Sequence, residues 1–211
     1  MANTLFLWLE GPMQSWGEKA RWSRRDSATE PTKSGVVGLL ACSFGLDQDT
    51  DIRELSQNLH IGVRCDQPGT LIKDYQTIEG PWGTQLSDRY YLHDSRFLIA
   101  IQSDKTDIIE KLANAIQNPI WPIFLGRKSC PPSRPPFGGT GNFPTMKDAL
   151  ESVSLTNSHR GDNQNVRVVL ECGSEEGTLR RDEIDNRSTR TFLPRYTKDI
   201  LVDIQDIKEV E

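Results

Sequence analysis

The stretch TLFLWL, residues 4–9, carries five consecutive apolar side chains after Thr4. A short continuous apolar run is typical of a strand that is buried on both faces. Downstream, PTKSGVVGLLACSFG (31–45) places apolar residues at helical spacing from Ser34 to Phe44 and then has Gly45, where a helix is expected to stop. The chain is therefore predicted to begin with a covered strand followed by a helix.

Four further segments extend this pattern. Alternation predicts a strand over LHIGVRC, and RFLIAIQ and WPIFLG are two more candidates, with a helix between them over DIIEKLANAIQN; these segments are residues 59–65, 96–102, 121–126 and 107–118. The order strand, helix, strand, strand, helix, strand is the ferredoxin-like arrangement that RNA-recognition domains also use. The class is thus predicted as α+β with a ferredoxin-like (RRM-like) N-terminal domain. Because that fold serves many functions, the order alone does not define one.

The chain is predicted to have three parts. Residues 1–126 form the ferredoxin-like domain, interrupted at 66–95 by an insertion whose flanks, TLIKDYQTI and RYYLHD, are suited to pair as a β-hairpin. A Pro/Gly-rich basic loop follows at 127–144. Residues 145–211 are predicted to be a small, mainly β C-terminal subdomain, with a short helix near 145–150 and strands near 165–172 and 199–204.

Composition excludes several classes of protein. No apolar run approaches the roughly 20 residues that cross a bilayer, so a cytoplasmic protein without membrane contact is expected. The four cysteines form no Cys-x-x-Cys pair, and the sequence suggests neither a metal site nor a cofactor. The net charge is −5, yet bases are clustered at 18–25, at 126–134 and from Arg180 to Lys198. Such segregation permits a basic face on an acidic protein, and solvated surface is the expectation for the last cluster.

Lys33-Ser34-Gly35 resembles the end of a nucleotide-binding P-loop, but the glycine required before the lysine is replaced by Thr32 and a proline precedes it. Nucleoside triphosphate hydrolysis is therefore excluded. Lys33 and the free amides of a helix start still suit an anion. A simple helix cap by Thr32 or Ser34 explains the same residues equally well.

The segment QSWG follows the first strand directly and is followed by clustered arginines. Amides, an indole and arginines are suited to grip phosphates and to stack on bases of single-stranded RNA. Trp16 as an ordinary core residue remains an equal alternative. No zinc motif, nucleophile elbow or paired catalytic group is present in the sequence.

Four segments in one order resemble a known family: LEGPMQSWG (9–17), PTKSGVVGLLACSFG (31–45), IEGPWGTQLSDRYYLHDSRFLIAI (78–101) and IFLGRKSCPPSRPP (123–136). They closely resemble the Cas5 family of CRISPR-associated proteins, of the RAMP superfamily, in the form that type I-E Cascade complexes use. The resemblance covers residues 1 to about 140. It implies a hairpin thumb on the ferredoxin-like domain and a non-catalytic subunit that caps the 5′ handle of the CRISPR RNA.

The resemblance also implies partners and contact residues. The partners are the CRISPR RNA, a backbone subunit (CasC-type) and a large subunit (CasA-type), with target DNA reached only through the complex. The implied RNA-binding residues are Gln14, Ser15, Trp16, Gly17, Arg21, Arg24, Lys33, Ser34, Gly35, Arg89, Tyr90, Arg127, Lys128 and Ser129.

One branch of the family, in type I-C systems, instead cleaves precursor CRISPR RNA with a tyrosine, a lysine and a histidine. Here Lys128 is followed by Ser129 rather than histidine, and Tyr75 is the first tyrosine of the chain. The sequence therefore predicts an RNA holder without catalytic residues, with cleavage left to a separate CasE-type subunit. A metal-independent endoribonuclease and a protein-only scaffold are the alternatives.

Overall fold

The computed structural model describes residues 2–18, 24–81, 83–155, 164–186, 188–189 and 191–204. Within these ranges the chain forms nine strands and four helices. The strands are β1 Thr4–Gln14, β2 Arg24–Arg25, β3 His60–Gln67, β4 Thr70–Gly80, β5 Gly83–Gln102, β6 Phe137–Gly141, β7 Gln164–Cys172, β8 Thr178–Asn186 and β9 Thr191–Ile204. The helices are α1 Lys33–Phe44, α2 Asp49–Gln57, α3 Thr106–Gln117 and α4 Met146–Ser152.

All nine strands belong to one sheet. Its main path is β6-β1-β5-β3-β7-β9-β8, and each neighbouring pair on that path is antiparallel. β4 and β2 both pair with the projecting part of β5, β2 in the parallel direction. The mixed α and β content and the mostly antiparallel sheet confirm the predicted α+β class.

The sheet is covered on both faces. Leu5, Leu7 and Leu9 of β1 point to the core beneath α1 and α3, whereas Phe6 belongs to a second core with Leu150 of α4. The three leucines are fully buried and Phe6 is 4% exposed. The continuous apolar run at 4–9 therefore belongs to a strand buried on both sides, as predicted.

A long hairpin leaves this sheet. β4 pairs with β5 from Thr70 opposite His93 to Gly80 opposite Gly83, so the two predicted flanks of the insertion do pair. The second strand of the hairpin is not separate from the core strand predicted at 96–102, because β5 runs without interruption from residue 83 to 102. Where the hairpin leaves the core, Asp94 adopts a φ of 53°, which is uncommon for a residue other than glycine.

The predicted fourth strand at 121–126 is wrong. In its place the chain forms a loop, and the edge strand beside β1 is β6. Gly126 has a φ of 84°, and Leu125 accepts a hydrogen bond from Ser15 N but bonds its own N–H to Cys130 O within the loop. Local loop closure thus replaces the ladder that a strand would need.

Helix α2 was not predicted, because its sequence looks like an acidic run. Ile52 and Leu55 nevertheless lie one helical turn apart and are buried, with the charged residues on the opposite side.

The C-terminal strands extend the same sheet, since Val63 of β3 pairs with Val169 of β7. The predicted strands near 165–172 and 199–204 and the helix near 145–150 correspond to β7, the end of β9 and α4. The division into a domain and a subdomain at residue 145 stays a prediction.

Arg64 joins the two parts. It is fully buried, makes two hydrogen bonds to the Asp66 carboxylate at 2.6 and 2.9 Å, and donates through Nη1 to Leu150 O and Val153 O at 2.5 Å. It therefore caps the carbonyl end of α4 while its charge is neutralised.

Candidate nucleic-acid interface

Four segments that are distant in sequence meet where the hairpin leaves the sheet, at residues 15–18, 24–28, 88–91 and 125–130; we call this region the hairpin base. Ser15 Oγ donates to Tyr90 O at 2.9 Å, and Ser15 N donates to Leu125 O at 3.1 Å. Ala28 N donates to Trp16 O at 2.7 Å, which ties the segment 24–28 to the segment 15–18. The structure thus brings together the QSWG, arginine, RYY and GRKS segments that the sequence marked separately.

The GRKS loop, residues 126–129, depends on Gly126 for its backbone conformation. Gly126 has a φ of 84°, and a Cβ added there would lie 1.8 Å from Ser15 O. Cys130 N donates to Arg127 O at 2.8 Å and closes the turn. Lys128 and Ser129 consequently project at its exposed tip. An ammonium and a hydroxyl at a rigid turn are suited to contact a phosphate.

Arg127, predicted as a phosphate contact, is used mainly inside the protein. Its Nη2 donates to Arg25 O at 2.9 Å and Asp26 O at 3.3 Å, and its guanidinium lies 4.7 Å from the centre of the Tyr91 ring. Its role here is to fasten β2 to the hairpin base. Its Nη1 is buried and has no hydrogen-bond partner in the described part of the chain.

Trp16 is a core residue in this structure. Its side chain is 1% exposed, its ring contacts the helix at Gly35, and its Nε1 donates to Gln14 Oε1 at 3.0 Å. Gln14 Nε2 in turn donates to Ser95 O at 2.8 Å and to Leu9 O at 3.1 Å. The ring offers no open face to a nucleobase. Trp16 and Gln14 instead support the hairpin base through buried contacts.

The start of α1 does receive an anion, but the anion belongs to the protein. Lys33 N donates to Asp182 Oδ2 at 2.9 Å, and Lys33 Nζ lies 3.4 Å from both Glu171 Oε1 and Glu183 Oε2. Lys33 is 4% exposed. Carboxylates from β7 and β8 therefore occupy the position predicted for an RNA phosphate, and Lys33 is not available at the surface.

The cap of α1 follows the second alternative left open by the sequence. Thr32 is the N-cap and its Oγ1 accepts from Gly35 N at 3.3 Å, while Ser34 Oγ lies 3.4 Å from the same hydroxyl. Ser34 and Gly35 are half-buried. The amides of this helix start are committed to the fold.

The ionic contacts continue around Lys33. Arg195 makes two hydrogen bonds to Asp182 at 2.6 and 2.7 Å, and Glu30 pairs with Arg167 at 2.7 Å and with Arg180. Asp182 and Glu30 are each 1% exposed. The expectation that the bases from Arg180 onward are solvated surface is therefore wrong for Arg180 and Arg195. We call Glu30, Lys33, Glu171, Asp182, Glu183 and Arg195, with their direct partners, the ion cluster.

Charges in the ion cluster shift several pKa values. Burial alone would raise the pKa of Glu30, but hydrogen bonds from Arg167 and Thr29 and the charge of Arg180 outweigh it, so the pKa lies below its ordinary value. The hydrogen bond between His60 Nδ1 and the accepting Glu171 carboxylate, at 3.1 Å, raises the pKa of the imidazole. Both shifts favour the charged form, of the Glu30 carboxylate in one case and of the His60 imidazole in the other.

The predicted contact residues thus separate by exposure. Gln14, Ser15, Trp16 and Lys33 are buried, whereas Gly17, Lys128 and Ser129 are exposed and Ser34, Gly35, Arg89, Tyr90 and Arg127 are half-buried. Arg21 lies outside the described residues, and only the backbone of Arg24 is described, in β2 beside Asp88.

Two features of the hairpin were missed from the sequence. Arg25 of β2 pairs with Arg89 and adds a half-buried guanidinium to the hairpin base. On the hairpin itself Leu71, Tyr75 and Leu86 are 48%, 60% and 54% exposed. Large apolar residues in an insertion of this length, with no predicted element to cover them, are the signal that could have identified them.

Two other kinds of site receive no support from the described ranges. Among those residues no group of three or more His, Cys, Asp or Glu side chains could hold a metal ion. Likewise, none of the helices formed there is long and apolar enough to span a bilayer.

The fold and this region define a mixed α/β protein with a mostly antiparallel sheet and a projecting hairpin, and arginine and lysine side chains lie where the hairpin leaves the sheet. The sequence model of the family CRISPR-associated protein (Cas_Cas5) matches residues 4–198. The chain belongs to the Cas5 family.

Similar proteins agree with this assignment. The CRISPR system Cascade subunit CasD of Escherichia coli (strain K12) is 33% identical over 171 residues, covering 71% of this chain and 76% of that protein. A crystal structure of a Cas protein is 35% identical with a TM-score of 0.78 and covers 95% of each chain. A chain of a CRISPR RNA-guided surveillance complex, 24% identical, shares the fold with a TM-score of 0.80 over 95% of this chain and 90% of its own length.

Proposed function

We propose that this protein is a non-catalytic subunit of a type I-E-like CRISPR Cascade complex that binds and caps the 5′ handle of the CRISPR RNA. The observation that carries the proposal is the convergence of Arg25, Arg89, Lys128 and Ser129 at the hairpin base. The similarity to the Cascade subunit CasD supports the assignment to such a complex.

We propose further that the strands β6-β1-β5-β3 with α1 and α3 are the ferredoxin-like unit. Their antiparallel order, with one helix after β1 and one after β5, supports this assignment. The β4–β5 hairpin is then the thumb. Its paired part spans 11 residues in β4, or about 37 Å at 3.4 Å per residue, which is long enough to cross an RNA strand.

In this proposal phosphates lie against the exposed tip of the GRKS loop and the guanidinium of Arg89. Arg89 is only half-buried, so its guanidinium can present N–H donors to an RNA phosphate. The exposed backbone of Gly17 permits close approach. Gln14, Ser15, Trp16 and Lys33 contribute indirectly, because they hold the segments that carry these groups.

The hairpin carries the proposed contact with the backbone subunit (CasC-type). Its exposed Leu71, Tyr75 and Leu86 form an apolar surface that an isolated chain leaves in water. The large subunit (CasA-type) is the second proposed protein neighbour, and target DNA is reached through the complex. A cytoplasmic location follows from this role.

The test is the salt dependence of binding to guide RNA. Each phosphate neutralised on a single strand contributes about 0.7 to the slope of log affinity against log salt. Lys128→Met is expected to weaken binding and to flatten the slope by about 0.7. Lys111→Met is the matched control, because Lys111 is exposed on α3 and paired with Asp107. Equal affinities and slopes for the two variants would contradict the proposed interface.

A second arm addresses the endoribonuclease alternative. Purified protein is incubated with labelled repeat RNA in the absence of metal, and the expected outcome is intact RNA. Cleavage that disappears in a Lys128→Met or His93→Ala variant would show that the chain is a nuclease and would contradict the proposed non-catalytic role.

A further inference from the structure

A small apolar projection stands at the C-terminal end of α1. Ile120 is 66% exposed and Trp121 is 39% exposed, and both follow α3 directly. We call these two residues the Ile-Trp knob. Exposing an isoleucine and a tryptophan side by side is unfavourable, because burial of their apolar surface against a partner would lower the free energy.

The knob is held rigidly by the backbone. Ile120 N donates to Ser43 O at 3.0 Å and Trp121 N donates to Cys42 O at 3.2 Å, so the segment caps the last carbonyls of α1. Gly45 lies directly beneath Ile120, because a Cβ added there would be 2.9 Å from Ile120 Cγ2. A preorganised apolar pair loses little conformational entropy on binding, which favours its use as an anchor.

The chain segment that follows Gly45, the residue beneath Ile120, is acidic. Gly45 contacts Ile120, and the chain that continues from Gly45 carries four carboxylates against the single base Arg53 before residue 58. Of these carboxylates, Asp51 and Glu54 are exposed on α2. A polyanion such as RNA would be repelled here, and a second copy of this chain would oppose acid to acid.

We propose that the Ile-Trp knob docks into an apolar pocket, bordered by lysine or arginine, on another protein subunit of the assembly. Tryptophan anchors surrounded by complementary charge are typical of the few residues that dominate an interface. The knob lies against Gly45 at the C-terminal end of α1, whereas Trp16 contacts Gly35, and the ten-residue separation of these glycines corresponds to about 15 Å of helix. The subunit would therefore hold RNA at the hairpin base and a protein neighbour beyond the C-terminal end of α1.

This inference rests on the proposed membership of a multi-subunit complex, and its test separates the two claims. The probe is the remaining protein subunits with guide RNA, purified from cells that lack this chain, and the measurement is its affinity for added chain. Ile120→Ala with Trp121→Ala is expected to lower that affinity at least about tenfold. Binding of free guide RNA by the isolated variant should stay unchanged.

Leu201→Ala is the matched control, because Leu201 is 69% exposed on β9 and distant in sequence from the knob. It should change the affinity by less than about twofold. Charge is tested by Asp51→Asn with Glu54→Gln, which should slow association and reduce its salt dependence. Unchanged affinity in the knob variant, or an equal loss in the Leu201 variant, would overturn the inference.

A photo-crosslinking amino acid at position 121 gives an independent readout if the double alanine variant does not fold. The expected product joins this chain to another protein subunit at an apolar site next to lysine or arginine. A crosslink to RNA, or to a second copy of this chain, would refute the docking site. If instead the isolated chain fails to bind guide RNA while the protein crosslink forms, the proposed RNA function fails and the knob inference stands.

Discussion

Two lysines that look equivalent in the sequence are expected to behave in opposite ways when each is replaced by methionine. Lys33 is 4% exposed and lies 3.4 Å from two carboxylates, whereas Lys128 is exposed at the tip of the GRKS loop. Lys33→Met should destabilise the fold and leave the salt slope of RNA binding unchanged. Lys128→Met should leave stability unchanged and flatten that slope.

The loss of stability expected for Lys33→Met follows from the contacts of the lysine. Removing one partner of a buried ion pair costs about 3–5 kcal/mol, because the other charge stays buried. Two features reduce this cost. Glu171 keeps Arg195 at 3.5 Å and His60 at 3.1 Å, and both carboxylates partnered with Lys33 are partly exposed, at 20% and 16%. We therefore expect a loss of about 2 kcal/mol in the free energy of unfolding.

Urea unfolding measures this loss. With an m-value of about 2 kcal/mol/M, the midpoint of Lys33→Met should fall by about 1 M, while that of Lys128→Met stays within about 0.3 M of the parent. RNA binding is then measured at several salt concentrations without urea, where both variants are folded. Lys128→Met should reduce the slope by about 0.7 and Lys33→Met should not.

The reverse pattern would contradict the roles given to these two lysines. A Lys33→Met protein with parental stability and a reduced salt slope would mean that Lys33 contacts phosphate and that the carboxylates of β7 and β8 are not its partners. Lys111→Met, on the exposed side of α3, controls for the loss of one surface charge.

Three more outcomes are expected. Gly126→Ala should lower stability by at least about 2 kcal/mol, because it combines a left-handed φ of 84° with a contact at 1.8 Å to Ser15 O, and an unchanged thermal midpoint would contradict the loop packing. Trp16→Phe should lower the free energy of unfolding, measured in urea, by about 1–2 kcal/mol, because the side-chain oxygen of Gln14 loses its indole donor. RNA affinity should stay unaltered. A loss of affinity in the folded variant would identify Trp16 as a base contact. The Glu171 hydrogen bond raises the pKa of His60 above its ordinary value of about 6.5, so the pair stabilises the fold below that value and the effect disappears as pH rises through the raised pKa. The unfolding free energies of His60→Ala and the parent, measured in urea, should hence differ by up to about 1 kcal/mol at pH 6 and converge at pH 9, and a difference that does not change with pH would exclude the linkage.

Much of the fold could be predicted because hydrophobic patterns report burial. The run at 4–9 and the alternation at 59–65 predicted β1 and β3, since each face of those strands packs against a defined partner. Segment 121–126 has a comparable apolar pattern, but Leu125 is buried inside a loop whose geometry is fixed by Gly126. Pattern alone cannot distinguish a short strand from a loop that buries one leucine.

The candidate site was predictable in position but not in detail. The sequence identified the segments that meet at the hairpin base, because each combines glycine, amide or basic residues near the end of a strand. It could not show that Asp182, 149 residues away, would neutralise the start of α1. A lysine at a helix start has the same local signature whether its anion comes from a ligand or from a distant strand.

The continuity of β5 has a mechanical consequence. Its residues 92–102 pair with β1 and residues 96–102 pair also with β3, while residues 83–93 form the outer half of the hairpin. β5 is therefore held on both sides over its inner half, and the hairpin extends outward from Asp94, whose φ of 53° marks the point where it leaves the core. A force applied at the hairpin tip would therefore load the hydrogen bonds that join β5 to β1 and β3.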